Sequence, residues 1–170
     1  MTRPDVLRTE YQSAAQVEPA FLRAVMRRLA TGVTVVATDT ETGPVGVAIN
    51  SFTSVSLEPA MVLFCIGRHS RTWPAIEVSH RFAVSFLTEE QEHLARRFCA
   101  PGVDRFLGQE VRVVSTGAPV LTAAGGFVDC TVARVIEAGD HHVVLGHVVA
   151  AGVLSDARPL VFTRGTYLGG

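Results

Sequence analysis

The chain has 170 residues, of which 48% are apolar, with 15 basic and 16 acidic side chains. That length and apolar content suffice for one buried core and predict a single ordered domain. The balanced charge, which contains no block of one sign, excludes a basic surface for nucleic acid and an acidic interaction tail.

The three cysteines, Cys65, Cys99 and Cys130, are odd in number and include no C-x-x-C pair. This arrangement excludes a complete disulfide framework and a cysteine metal or redox pair, and free thiols suit a reducing compartment. The N-terminal segment lacks the apolar region of a signal peptide, and no apolar run reaches the roughly 18 residues that a membrane-spanning helix needs. We therefore expect a cytoplasmic protein that binds neither a membrane nor a metal.

Residues 1–17 are polar and aperiodic, which predicts a flexible tail before a single domain over residues 18–170. The domain begins with a predicted helix. Its apolar residues recur at helical spacing and are Phe21, Leu22, Val25, Met26 and Leu29. Pro19 suits the first turn of that helix, and Gly32 is a typical stop.

Strands follow the helix. β-Branched residues predict strands over 33–38 and 45–49, on either side of a turn cluster at 39–44. Residues 50–56 are rich in hydroxyl groups. Every residue of 60–66 is apolar, which predicts a strand buried on both faces.

Two short helices are predicted in the middle of the chain. The first starts at Ser70 or Thr72 and carries Trp73, Ile76 and Val78. A strand over residues 82–87 follows it. The second helix starts at the capping box formed by Thr88 and Gln91 and continues to about Phe98.

The last third of the chain predicts a long hairpin. After an irregular stretch at 100–124, which can hide a short strand near 111–114, strands at 127–136 and 141–151 flank a turn at 137–140. A closing strand is expected near residues 160–163 and 167. The many short strands, the few inserted helices and the absence of β-α-β alternation predict a mainly β fold, an antiparallel Greek-key barrel.

Residues 46–56, G-V-A-I-N-S-F-T-S-V-S, form the first candidate site. Their polar side chains are small and uncharged, so a flat ligand can approach the backbone closely. Backbone groups at a strand end can meet the pyrimidine edge of a flavin, and hydroxyls can bond its ribityl chain. The alternative is an ordinary strand end rich in serine and threonine.

Two further segments are candidates. Arg68 to Thr72, R-H-S-R-T, precedes a predicted helix and offers forked cationic donors for a phosphate, although a solvated helix start would look the same. Residues 139–142, G-D-H-H, form a turn and a strand start. His141 and His142 point to opposite faces of that strand, so one of them beside a pocket can orient a cofactor, but the pair cannot bind one metal.

The order and spacing of several segments resemble the short-chain flavin reductases, a family with an FMN-binding split-barrel fold. The chain has no G-x-G-x-x-G, P-loop or G-x-S-x-G pattern, so a nucleotide would bind outside a Rossmann crevice. The resemblance covers about residues 21–167. Its segments are R-A-V-M-R-R-L-A-T-G-V-T-V-V-A-T, G-V-A-I-N-S-F-T-S-V-S, L-E-P-A-M-V-L-F-C-I, S-R-T, F-A-V-S-F-L, R-F-L-G, D-C-T-V and G-D-H-H-V-V-L-G-H-V.

The resemblance implies a set of cofactor-binding residues. Those expected along the flavin ring edge and ribityl chain are Ala48, Ile49, Asn50, Ser51, Ser54, Val55 and Ser56. Cys65 and Ile66 would lie beside the ring through their backbone. Ser70, Arg71 and Thr72 would meet the flavin phosphate.

The family's Gly-Asp-His motif places His141 near the nicotinamide, as the candidate catalytic residue, and Tyr167 matches a C-terminal aromatic residue near the site. The sequence departs from the family at Ala48, where many relatives have threonine, at Gly125 and Gly126, which replace a bulkier pair, and at His142, which is an additional histidine.

The function implied by the resemblance is an NAD(P)H:flavin oxidoreductase. It would transfer hydride from NADH or NADPH to FMN or FAD and supply reduced flavin to a separate monooxygenase, and it would be a homodimer. The alternatives are a flavin-binding electron-transfer protein without turnover, and a barrel with chemistry like that of the pyridoxamine-phosphate oxidases. The latter would require a denser basic site than Arg68 and Arg71 provide.

Overall fold

The computed structural model describes residues 17–168, so the predicted tail over residues 1–17 lies, apart from Val17, outside the described residues. The helices are α1 (Pro19–Met26), α2 (Trp73–Ser79) and α3 (Glu92–Cys99), the last preceded by a 3₁₀ turn at Glu89–Gln91. The strands are β1 (Thr31–Gly32), β2 (Thr34–Thr40), β3 (Gly43–Ile49), β4 (Thr53–Leu57), β5 (Ala60–Gly67), β6 (Arg81–Phe86), β7 (Val111–Val113), β8 (Pro119–Leu121), β9 (Gly126–Ala138), β10 (His141–Val153), β11 (Val161–Thr163) and β12 (Thr166–Leu168).

Seven strands form the main sheet, in the order β3-β2-β6-β9-β10-β5-β4, and each neighbouring pair is antiparallel. Its two outer strands, β3 and β4, are joined by residues 50–52 alone. That link spans at most about 14 Å, whereas the edges of a flat seven-stranded sheet lie roughly 29 Å apart. The sheet therefore curls until β3 approaches β4 without pairing to it, and the predicted antiparallel split barrel is confirmed.

The barrel interior is filled by large apolar side chains from opposite walls. Phe64 on β5 and Phe82 on β6 are fully buried, and their rings meet edge to face with centroids 5.0 Å apart. Val84 and Val144 complete this layer, and Ile76 of α2 closes one end of it. A second core lies outside the barrel wall, where Phe98 of α3 packs against β2 and β3.

The predicted hairpin and capping box are both confirmed. The strands β9 and β10 have 13 residues each and turn at Gly139 and Asp140, and Gly139 has the positive φ of 61° that such a turn favours in glycine. The backbone N–H of Thr88 donates to Oε1 of Gln91 at 2.9 Å, and the amide of Gln91 donates to the carbonyl of Ala123. The capping box thus also ties α3 to the distant segment before β9.

Three local expectations were wrong. The strand β5 is not buried on both faces, because Val62, Phe64 and Ile66 are buried whereas the residues between them are half-exposed. Helix α1 ends at Met26 rather than near Gly32, which lies in β1. The turn between β2 and β3 is shorter than residues 39–44, because both strands continue into that cluster.

Candidate functional site

At the split of the barrel, where β4 no longer covers the end of β5, lies a cavity of about 280 Å³, which we call the ring cavity. The residues that line it come from the end of β3 and the segment after it, the end of β5 and the segment after it, and the start of β10. They are Val47, Ala48, Ile49, Asn50, Ser51, Cys65, Ile66, Gly67, Ser70 and His141. None of these side chains is a carboxylate, so the cavity suits a flat ligand without strong positive charge.

Three other cavities extend the ring cavity into one cleft, in which each cavity shares lining residues with its neighbour. The phosphate cavity, of about 450 Å³, shares Gly67, Ser70 and His141 with it. The outer cavity, of about 330 Å³, shares Arg71 and Arg105 with the phosphate cavity. The tyrosine cavity, of about 160 Å³, lies at the other end beside Tyr167.

Ser51 holds the wall of the ring cavity in place. Its Oγ donates to the carbonyl of Cys65 at 2.9 Å and accepts the N–H of Cys65 at 3.1 Å. The hydroxyl therefore hydrogen-bonds the backbone of β5 at this position, as a neighbouring strand does elsewhere in the sheet. The polar groups of the Cys65 backbone are satisfied by the protein, and β5 keeps its shape up to the edge of the cleft.

His141 stands at the junction of the ring and phosphate cavities. Its Nδ1 is 2.7 Å from Oδ1 of Asp140, a contact that fixes the ring when Nδ1 carries the proton. The hydrogen bond and the charge of His141 lower the pKa of the Asp140 carboxyl. Opposite it, a Cβ on Gly67 would lie 3.8 Å from Nε2 of His141, so the absent side chain leaves room in front of the imidazole.

The cationic part of the cleft lies around Arg71 and Arg105. Nη1 of Arg105 donates to the carbonyl of Gly46 at 2.6 Å, and Nη2 donates to the carbonyl of Ala100 at 3.2 Å. Among residues 17–168 neither arginine is paired with a carboxylate.

The structure brings most of the predicted site residues together. Eight of them line the ring cavity and are Ala48, Ile49, Asn50, Ser51, Cys65, Ile66, Ser70 and His141. Arg71 and Thr72 line the outer cavity. In contrast, Ser54, Val55 and Ser56 lie on the edge strand β4, outside all four cavities.

Tyr167 closes the far end of the cleft. Its ring packs on Phe162 with centroids 5.1 Å apart, and the guanidinium of Arg96 lies 5.2 Å from its centroid. Burial raises the pKa of the Tyr167 hydroxyl. Cys99 lines both this cavity and the phosphate cavity, and burial raises the pKa of its thiol while nearby Arg105 lowers it.

His142, to which the sequence assigned no role, points away from the cleft. It stacks on Trp73, with ring centroids 4.6 Å apart, which makes it a packing residue at the start of α2.

Arg105 lines the cleft but was not predicted as a site residue. Its signal was present in the segment R-F-L-G that carries part of the family resemblance.

Helices able to cross a membrane, and clusters of three or more potential metal ligands, are both absent from residues 17–168.

Comparison with known proteins identifies the kind of protein that has this cleft. The model of the flavin reductase-like domain matches residues 26–170. The reductase subunit of a flavin-dependent monooxygenase from Mycobacterium tuberculosis is 42% identical over 158 residues, which cover 92% of this chain and 84% of that protein.

Two other relatives carry names that specify a flavin. An NADH:FMN oxidoreductase of Rhodococcus erythropolis is 39% identical over 150 residues, covering 85% of this chain and 78% of the relative. The solved structure of an NADH:FAD oxidoreductase from Streptomyces globisporus superposes with a TM-score of 0.84 at 35% identity, covering 94% of this chain and 99% of the other.

Proposed function

This chain belongs to the flavin reductase-like domain family, and we propose that, as an NAD(P)H-dependent flavin reductase, it reduces FMN or FAD in the cleft described above and supplies reduced flavin to a separate monooxygenase. The observation that carries the proposal is the sequence of environments along the cleft. A neutral ring cavity is followed by the cationic side chain of Arg71, which comes directly after Ser70 of that cavity. A flavin mononucleotide has the same order, with a flat neutral ring at one end and a phosphate at the other.

The ring cavity fits the isoalloxazine part of a flavin. Ligand cavities are ~300–1,000 Å³, and the ring cavity with the adjoining phosphate cavity reaches that size. Val47 and Ile49 supply apolar contact, and the backbone from Ala48 to Ser51 supplies the polar groups at the ring edge. The flavin brings the hydride-accepting ring, so the protein needs to contribute binding and orientation.

Each predicted binding segment has a distinct part in this proposal. Ser70, Arg71 and Thr72 bind the flavin phosphate, with Arg71 as the charged donor. Cys65 and Ile66 form the wall of the ring cavity, and Tyr167 closes its far side. Ser54, Val55 and Ser56 contact only a ligand that extends beyond the ring cavity over β4.

His141 is the candidate catalytic residue because it lies between the space for the ring and the open side of the cleft. It orients the nicotinamide against the ring, and Asp140 is a positioning residue for it. The short Nδ1–Oδ1 contact of 2.7 Å, with Asp140 ionised, selects the tautomer in which Nε2 is free to accept a hydrogen bond from the nicotinamide carboxamide.

We propose that the protein acts as a homodimer in the cytoplasm. Helix α1 buries none of its residues within the chain, although Leu22, Val25 and Met26 are apolar. Leu57 on the edge strand β4 is 90% exposed. A second copy of this chain would cover such surfaces, and sedimentation analysis of the wild type and of Leu57→Arg and Met26→Arg variants tests this proposal.

The test of the function is a kinetic assay with purified protein. NADH or NADPH is mixed with FMN or FAD under low oxygen, and nicotinamide oxidation is followed by absorbance. We expect oxidation with at least one of the four pairs and a large loss in His141→Ala. Tight flavin retention without oxidation of either nicotinamide would instead establish a flavin-binding protein without turnover.

A further inference from the structure

The cleft does not end at the position proposed for the flavin phosphate. Beyond Arg71 it continues into the outer cavity, whose walls are the end of the β2–β3 hairpin and the loop that follows α3. A mononucleotide would contact only its boundary at Arg71 and Thr72. The outer cavity therefore has room for a further part of a larger ligand.

Two cations without acidic partners face the boundary of the outer cavity. Arg105 is held in place by the carbonyls of Gly46 and Ala100 and keeps donors that these contacts do not use. Asp104 also lines the cavity, but its Oδ1 accepts the N–H groups of Phe106 and Leu107 at 3.0 and 3.2 Å. A net cationic site fixed by neutral carbonyls suits an anion with several oxygens, such as a diphosphate.

The rest of the outer cavity is suited to a nucleoside. Pro44, Val45 and Val103 provide apolar surface, and the Val103 side chain is 46% exposed. Its volume of about 330 Å³ is within the range of small-ligand sites. Cationic donors at the entrance and an apolar lining beyond them match the order of groups in adenosine diphosphate.

We propose that the outer cavity is a second phosphate subsite, in which Arg71 and Arg105 bind the adenosine diphosphate portion of a dinucleotide. The inference rests on the proposed function, since it takes the first subsite to hold the flavin. The outer cavity reaches the ring cavity through the phosphate cavity, with which it shares Arg71 and Arg105, and this order assigns the portion to FAD. The same group of NADH or NADPH is the other source of this chemistry.

The experiment measures dissociation constants of FMN and FAD by flavin fluorescence, without turnover. We expect the wild type to bind FAD more tightly than FMN and ADP to compete with FAD. Arg105→Met should weaken FAD binding by roughly tenfold or more, because a charge-assisted hydrogen bond is lost, and should change FMN binding much less. Arg134→Met, an exposed arginine of β9 outside the cleft, is the matched control.

A second variant separates the cavity from the hydrogen bonds that Arg105 makes to the backbone. Val103→Trp fills the outer cavity and leaves both arginines in place, so it should also weaken FAD and spare FMN. If both variants leave FAD binding unchanged but raise the KM for NADH or NADPH with FMN as acceptor, the subsite binds the nicotinamide dinucleotide.

Equal effects on FMN and FAD, or no effect on any of the ligands, would overturn the inference. Reduction of FMN by the wild type would still stand in that case, so a failure of the subsite is distinguishable from a failure of the reductase function. Absence of nicotinamide oxidation by the wild type with every flavin would refute the proposed function itself.

Discussion

The barrel interior and the cleft wall are built from the same strands but in opposite ways. In the interior, Phe64 and Phe82 fill the space, and the Phe82 ring leaves no room beside Gly146. In the cleft wall, small side chains and Gly67 leave room beside His141. Both glycines lie on the paired strands β5 and β10. The difference shows that stability and ligand binding depend on separate residues of one sheet.

The largest effect is expected when a methyl group is added in the interior. A Cβ on Gly146 would lie 2.8 Å from Cε1 of Phe82 and 3.3 Å from Cβ of Cys130, both in fully buried side chains. Gly146→Ala should therefore lower the free energy of unfolding by about 1–3 kcal/mol or more, as measured by chemical denaturation. Gly32→Ala is the matched control, because nothing lies within 4 Å of its added Cβ. Equal denaturation midpoints for the two variants would contradict the steric explanation.

The next effect concerns His141 in the cleft wall. His141→Ala should lower kcat/KM for the nicotinamide by roughly 10-fold or more, the lower end of what a positioned group contributes. Because the imidazole is 48% exposed and lies at the cleft, the unfolding free energy should stay near that of the wild type. Replacement of His142, which stacks on Trp73, should produce the opposite pattern, with a loss of stability and a smaller kinetic effect. Similar kinetic losses in both variants would remove the distinction between the two histidines.

Gly67→Ala is the most direct counterpart of Gly146→Ala. Its added Cβ would meet Nε2 of His141 at 3.8 Å, an ordinary van der Waals distance, so the denaturation midpoint should not change. The methyl group would narrow the junction of the ring and phosphate cavities. We expect the flavin dissociation constant to rise by a few-fold, measured by fluorescence titration. A marked loss of stability would show that the wall is packed as tightly as the interior.

The smallest effect is expected from Asp140→Asn. An exposed hydrogen-bonded pair contributes little, so the KM for the nicotinamide should rise by only about two- to threefold. The pKa of Asp140 is lowered by His141, and an ordinary aspartate titrates near pH ~3.9. Asp140 therefore stays ionised well below neutral pH, and the ratio of variant to wild-type KM should be the same at about pH 8 as at about pH 7. A ratio that falls toward one as the pH is lowered from about 8 to 7 would contradict this assignment.

The sequence predicted those parts of the structure that depend on local chemistry. The Thr88–Gln91 capping box and the turn at Gly139 follow from hydrogen bonding and backbone preference within a few residues. The half-exposed face of β5 could not be predicted in this way. Its burial depends on what packs against the side chains that alternate with the buried Val62 and Phe64. The same reason applies to the apolar face of α1. The sequence predicts the helix but does not show that the chain leaves this face uncovered.

The same limit applies to the site. Residues 48–51 and 65–66 were predicted to lie together and do, because each segment ends a strand at the split of the barrel. Arg105 was missed because it lies in a loop without periodicity. Only folding brings it to Gly46, which is 59 residues earlier in the chain.

The double contact between the Ser51 hydroxyl and the Cys65 backbone has a consequence for how a reductase of this kind works. The N–H and carbonyl groups of Cys65 are hydrogen-bonded whether or not a ligand is bound, so ligand binding and release do not change the hydrogen bonding of this edge of β5. Emptying the pocket therefore leaves no orphaned donor or acceptor there to drive a collapse. A cavity wall that keeps its shape in this way suits an enzyme that releases its reduced product to another protein and then binds the next molecule.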